Sequence, residues 1–73
     1  MEILGYTIEV KRIEEENVTP YYEINIITKS GRIVKNKIIE STEDVTQASI
    51  EASIADTNSE IHKELEALIN NTN

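Results

Sequence analysis

The sequence predicts an α+β domain. Its expected architecture is a three-stranded antiparallel β-meander followed by one long or bent C-terminal helix, in the order β-β-β-α, with the helix packed on one sheet face. Three observations predict it. Alternating apolar and polar runs fill the first forty residues, one apolar stripe at helical spacing runs from Ile50 to Leu68, and Ser41-Thr42-Glu43-Asp44 separates the two regions. Alternation with period two marks a half-buried strand, and recurrence at three and four residues marks one face of a helix.

The first strand is expected over about residues 2–13, where Leu4, Tyr6, Ile8 and Val10 point one way and Gly5, Thr7, Glu9 and Lys11 the other. Glu14-Glu15-Glu16-Asn17-Val18-Thr19-Pro20 breaks the alternation with charge and then proline, the signature of a solvated loop. A second strand follows over 21–29, with Tyr22, Ile24 and Ile26 on one face, and a third over 32–40. The turn between them sets the register. A two-residue loop at Ser30-Gly31 would place Lys35 opposite Ile26 and Lys37 opposite Ile24, burying two ammonium groups. A three-residue loop, Lys29-Ser30-Gly31, places Val34 opposite Ile26, Ile38 opposite Tyr22 and Lys37 opposite Glu23, and gives Gly31 the left-handed position such loops need. The second register is the one expected. It leaves Tyr21, Ile27, Ile33 and Ile39 on the outer face as a candidate partner or dimer interface.

Helical structure is expected over 43–70. Ser41 or Thr42 can cap its start, and Glu43 and Asp44 suit the positive end of the helix dipole. Ile50, Ile54, Ile61, Leu65 and Leu68 fall within about 60° of one another at ~100° per residue. A helix of that length would extend ~42 Å, beyond the ~30 Å reach of a nine-residue strand. It therefore either projects past the sheet or bends, and Asp56-Thr57-Asn58-Ser59, with capping-box spacing from Thr57 to Glu60, is the expected break. The residues at the end of the chain, Asn70 to Asn73, are expected to fray.

Length and composition bound the rest. At 73 residues the chain has room for one domain. It has no cysteine, hence no disulfide or thiolate metal site, and its one histidine, His62, excludes multi-histidine zinc arrangements. Self-association is the remaining way for so small a core to gain buried area. No apolar run approaches the ~18–20 residues of a membrane span, and the N-terminus lacks the basic start of a signal peptide, so a cytoplasmic protein with no membrane partner is expected. Isoleucine outnumbers leucine 13 to 3, a bias like that of AT-rich coding in low-GC bacteria and their phages. Net charge is −7 and unevenly spread. Residues 1–40 carry six basic and seven acidic side chains, whereas residues 41–73 carry seven acidic side chains and only Lys63.

The residues offer little for catalysis. His62 precedes Glu66 by one helical turn and reads as half of a surface ion pair rather than as a base in a triad. Carboxylates are plentiful, but catalytic ones need shifted pKa values in a dry cleft that a core of this size does not enclose. Glu14 to Glu16 lack the spaced ligands of a calcium loop, and Gly5 and Gly31, the only glycines, form no phosphate cradle. No enzymatic activity, cofactor or metal is expected. Lys29, Arg32, Lys35 and Lys37 form a basic hairpin, a candidate nucleic-acid ribbon. The order β-β-β-α resembles, in topology alone, the three-stranded DNA-reading domains of some phage integrases. The neighbouring acidic segment opposes that use, and nucleic acid is not the expected partner. The leading expectation is a small acidic protein-binding module or inhibitor of phage or mobile-element type, engaging a basic protein through Glu51, Glu60 and Glu64. The alternatives are a structural or virion-type assembly protein and a nucleic-acid binder, and a homodimer or higher oligomer is expected in any of these roles.

Overall fold

The computed structural model describes residues 1–71 and has the expected α+β class but not the expected architecture. The sheet has four antiparallel strands: β1 (Glu2–Ile3), β2 (Tyr6–Ile13), β3 (Tyr21–Ile27) and β4 (Ile33–Glu40), lying in that order. Two helices follow, α1 (Gln47–Ala55) and α2 (Glu60–Asn70), in place of the single long or bent helix, and they separate at the expected break over 56–59. The β-β-β-α order and its integrase-like resemblance therefore do not describe this chain.

The extra strand arises from a turn inside the run expected as one strand. Leu4 and Gly5 both take positive φ, 50° and 85°, so Ile3 folds back onto Tyr6. Two successive left-handed residues are what a two-residue hairpin of matching twist requires. Tyr6, Ile8 and Val10 keep their alternation through it, but Leu4 leaves the core and is 59% exposed, and Ile3, at 5%, replaces it.

The β3–β4 hairpin also departs from expectation. Its turn is the three-residue loop Lys29-Ser30-Gly31: Thr28 N–H donates to Arg32 O at 2.9 Å, and Gly31 has φ +88°. Ile27 faces Ile33 as expected. The register then shifts, because Val34 is an extra residue opposite Ile26 and Ile27. Beyond this bulge Lys35 faces Ile26, Lys37 faces Ile24, Ile38 faces Glu23, Ile39 faces Tyr22 and Glu40 faces Tyr21. A one-residue slip exchanges the faces of everything after it. Ile39 accordingly packs against the core, and Ile38, 52% exposed, takes the outer face. Lys37 is tolerated on the inner side because its long stem reaches the sheet border, where its Nζ lies 2.6 Å from Glu64 Oε2 on α2.

The helices also start and stop by local capping. Residues 41–46 do not continue as helix; Ser41 N–H extends the sheet by donating to Pro20 O, and Val45 N–H closes a turn onto Thr42 O. The N-cap of α1 is Thr46, not Ser41 or Thr42. Its Oγ1 accepts from Ser49 N–H at 3.1 Å while Ser49 Oγ accepts from Thr46 N–H at 2.9 Å, a reciprocal box. Helix α1 ends where Asp56 turns extended (φ −83°, ψ 108°), and Asp56 Oδ1 accepts from Asn58 N–H. Ser59, rather than Thr57, caps α2: its Oγ accepts from His62 N–H and donates to Ser53 O. One hydroxyl thus fixes the end of α1 to the start of α2.

Both helices share the inner face of the sheet. Ile8, Tyr22, Ile24 and Ile26 from the strands meet Ile50 and Ile54 of α1 and Leu65 and Ile69 of α2, with Ile3 at the edge. Ile24, Ile26 and Leu65 are fully buried. Burying each of these side chains contributes about 1.5–3 kcal/mol. No described helix is long and apolar enough to cross a membrane.

Candidate functional site

Directly opposed residues of an antiparallel pair share a face, so the register defines the outer surface row by row. Thr7, Ile27 and Ile33 form the row nearest the β3–β4 turn; Glu9, Asn25 and Asn36 form the next. Lys11, Glu23 and Ile38 follow, then Ile13, Tyr21 and Glu40. Of the four residues expected there as an interface, Tyr21, Ile27 and Ile33 are in place and Ile39 is not. Tyr21 faces Glu40 instead of an isoleucine. The apolar residues are consequently divided by the amide row, and the face is a mosaic rather than one patch.

That amide row holds a feature absent from the sequence reading. Asn25 is 1% exposed although it lies on the outer face. Its Nδ2 donates to Glu9 Oε1 at 3.4 Å, and its Oδ1 has no partner among the described residues. Glu9 is further engaged by Lys11 at 3.5 Å. A buried amide oxygen without a donor costs about 1–3 kcal/mol. Its central place on a central strand, with long neighbours on all sides, is the signal that could have revealed it.

The basic hairpin is dispersed by the same register shift. Lys29 and Arg32 lie exposed at the tip, but Lys35 and Lys37 occupy the helix side and not the outer face beside Asn25; Asn36 lies there. Lys37 is held by Glu64. The four cations therefore do not line one surface.

The acidic face is also partly committed. Glu64 is paired with Lys37, and Glu51 is half-buried and accepts from Gln47 Nε2 at 3.3 Å. Glu60 is exposed in the first turn of α2, where it complements the helix dipole. Glu43, Asp44 and Asp56 add exposed carboxylates before and between the helices.

His62 makes the expected contact with Glu66, but from a half-buried position rather than at the surface. Its side chain is 12% exposed, its Nδ1 lies 2.7 Å from Ile54 O, and its Nε2 lies 2.7 Å from Glu66 Oε1. A carbonyl oxygen can only accept, so Nδ1 carries the hydrogen and the ring braces α2 against the last turn of α1. A second polar cluster surrounds Arg12. Its guanidinium donates to Glu14 Oε1 at 2.6 Å, to Tyr22 OH at 3.0 Å and to Ser41 Oγ at 3.1 Å. It also sits 5.4 Å from the Tyr22 ring centre, within cation–π range. The hydrogen bond to Glu14, and then that to Tyr22, raises the Arg12 pKa above its ordinary value. Glu14 thereby belongs to a brace joining the end of β2, β3 and the exit of β4, rather than only to an acidic loop.

Two open grooves lie on the surface. One of about 370 Å³ runs beside β4 beneath α2, lined by Asn36, Lys37, Glu64, Ala67, Leu68 and Asn71. The other, about 340 Å³, lies between the Leu4-Gly5 turn and Thr28-Lys29. Among the described residues no three of His, Asp and Glu are grouped to hold a metal ion. No protein-family model matches the chain, and no significant match is found among curated proteins or solved structures.

Proposed function

We propose that this chain is a small, non-catalytic protein-binding module whose acidic helical side docks on a basic surface of another protein. The observation that carries the reading is charge segregation: residues 41–73 hold seven acidic side chains against one lysine, and Glu43, Asp44, Asp56 and Glu60 are exposed there. Such a field steers a basic partner towards the helices and repels nucleic acid and anionic lipid. The dispersal of Lys29, Arg32, Lys35 and Lys37 weighs against the nucleic-acid alternative. A role as an inhibitor encoded by a phage or mobile element would be one form of this reading, with the acidic side occupying a basic site.

The experiment is affinity capture with the immobilised chain and with a Glu43→Gln/Asp44→Asn/Glu60→Gln variant. None of these three side chains takes part in an ion pair among the described residues. The expected result is a basic protein retained by the native chain, lost with the variant and released by added salt, since screening weakens exposed charge pairs. Equal retention by both baits sinks the reading.

A further inference from the structure

We propose that β4 is a docking edge for a second copy of this chain, joined antiparallel about a two-fold axis at Ile38 to make one continuous sheet. This does not rest on the acidic-face reading. Strand β4 is the last strand of the sheet and, among the described residues, pairs with β3 alone. The phase of its hydrogen bonds can be counted. Ser41 N–H donates to Pro20 O at the far end of the hairpin. Residues of an antiparallel pair alternate between bonded and non-bonded positions. Ile39 and Lys37 therefore turn their backbone groups towards β3, whereas Glu40, Ile38 and Asn36 turn theirs outward. Among the described residues nothing bonds them on that side.

Three further features converge on this edge. The bulge at Val34 ends the regular ladder, which confines pairing to residues 36–40. Ile38, 52% exposed, sits at the middle of that stretch. An open groove of about 370 Å³, lined by Asn36 and Lys37 of β4 and by Glu64, Ala67 and Leu68 of α2, lies beside the strand.

The side chains select the second copy and its register. Outward-facing residues must pair with outward-facing residues, which leaves few alignments. Centring on Lys37 opposes two lysines, and centring on Asn36 opposes Lys35 with Lys37 twice; like charges directly opposed are unfavourable. Centring on Ile38 pairs it with the partner's Ile38 and sets Asn36 beside the partner's Glu40, an amide donor against a carboxylate. It places Lys37, already held by Glu64, opposite the partner's Ile39. Centring on Ile39 would set Ile38 against the partner's carboxylate at Glu40, so the Ile38 register is the best matched of those available to an isologous two-fold contact. About five residues from each chain give a contact below the ~1,200 Å² typical of strong complexes, so association is weak and concentration-dependent.

The test is amide hydrogen exchange of the native chain, read by NMR at micromolar and at millimolar concentration, with sedimentation equilibrium alongside. The expected result is exchange of Asn36, Ile38 and Glu40 that slows roughly tenfold or more on concentration, with Lys37 and Ile39 protected throughout. Two chains of charge −7 repel, so added salt strengthens this association, the reverse of its effect on acidic-face binding. Ile38→Pro removes an N–H that faces away from β3 and should give a folded monomer at every concentration. A native chain that stays monomeric at millimolar concentration overturns the proposal, as does association that leaves Asn36, Ile38 and Glu40 unprotected. Association that weakens with salt, or that survives in folded Ile38→Pro, overturns it equally. If that variant does not fold, the alternating exchange pattern of the native chain decides alone.

Discussion

Ile38 and Ile39 are adjacent isoleucines on opposite faces, and replacing each with lysine tests the β3–β4 register. Ile39 faces Tyr22 and packs on the core. A lysine there forfeits about 1.5–2 kcal/mol of apolar burial and must either hold its ammonium against that core or drag it to the border. The total cost is about 3 kcal/mol or more. Ile38 is already 52% exposed on the outer face, and a lysine there keeps its head in water, so the cost is about 1 kcal/mol or less. A domain of 73 residues has on the order of 4–11 kcal/mol of stability, so the first change removes a large share and the second little. Urea unfolding followed by far-UV circular dichroism reads the difference. With a slope of ~1 kcal/mol per molar for so small a domain, the midpoints should fall by about 3 M and under about 1 M respectively. Equal shifts, or a larger loss at Ile38, would refute the bulge at Val34 and restore the register with Ile38 facing Tyr22.

Three other substitutions probe single features. Asn25→Val should raise the melting temperature, by about 1 kcal/mol of added stability, because it removes a buried oxygen without a donor and suits a central strand; a lower melting temperature would mean that the amide is needed. Ser59→Ala should destabilise by about 1–2 kcal/mol in chemical denaturation, since it deletes the α2 cap and the bond to Ser53 O together, and Ser59→Asp should restore only the capping part. Gly31→Ala should cost about 1–2 kcal/mol by thermal unfolding, as its Cβ meets open space and only the left-handed backbone opposes it; an unchanged melt would contradict the positive φ.

How much was legible in the sequence follows from what each signal measures. Alternation in Tyr6–Val10 and Tyr22–Ile26 located the inner face correctly, because burial on one side of a strand leaves a direct trace. The Leu4-Gly5 turn left none: leucine is a poor left-handed residue, and the alternation runs through it unbroken. The register failed at the Ile38-Ile39 doublet, where either residue can face inward and pattern cannot choose. Excluding lysine from the inner face then decided wrongly, since Lys37 reaches Glu64 from there. In the C-terminal region the stripe through Ile50, Ile54 and Leu65 was readable. Ile69 was missed because the re-aimed α2 turns it inward. The capping residues were misplaced because Ser41, Thr42, Thr46, Thr57 and Ser59 are all competent caps and only tertiary contacts rank them. The candidate surfaces inherit these limits: pattern alone places Ile39 outside and sets Asn25 among the solvated polar residues.

The opposite border of the sheet is not open in the way β4 is. Ile8 N–H, pointing away from β3, is taken by Met1 O at 2.7 Å, and the next outward carbonyl, Val10 O, accepts from Gln47 Nε2 of α1. The short first hairpin and one helix side chain thus occupy positions where a foreign strand would have to bond. If two chains join at β4 as proposed, the far border of each offers only the two-residue edge of β1, too short to take a third in the same way. A finite pair, rather than a fibre, is the stoichiometry this asymmetry permits.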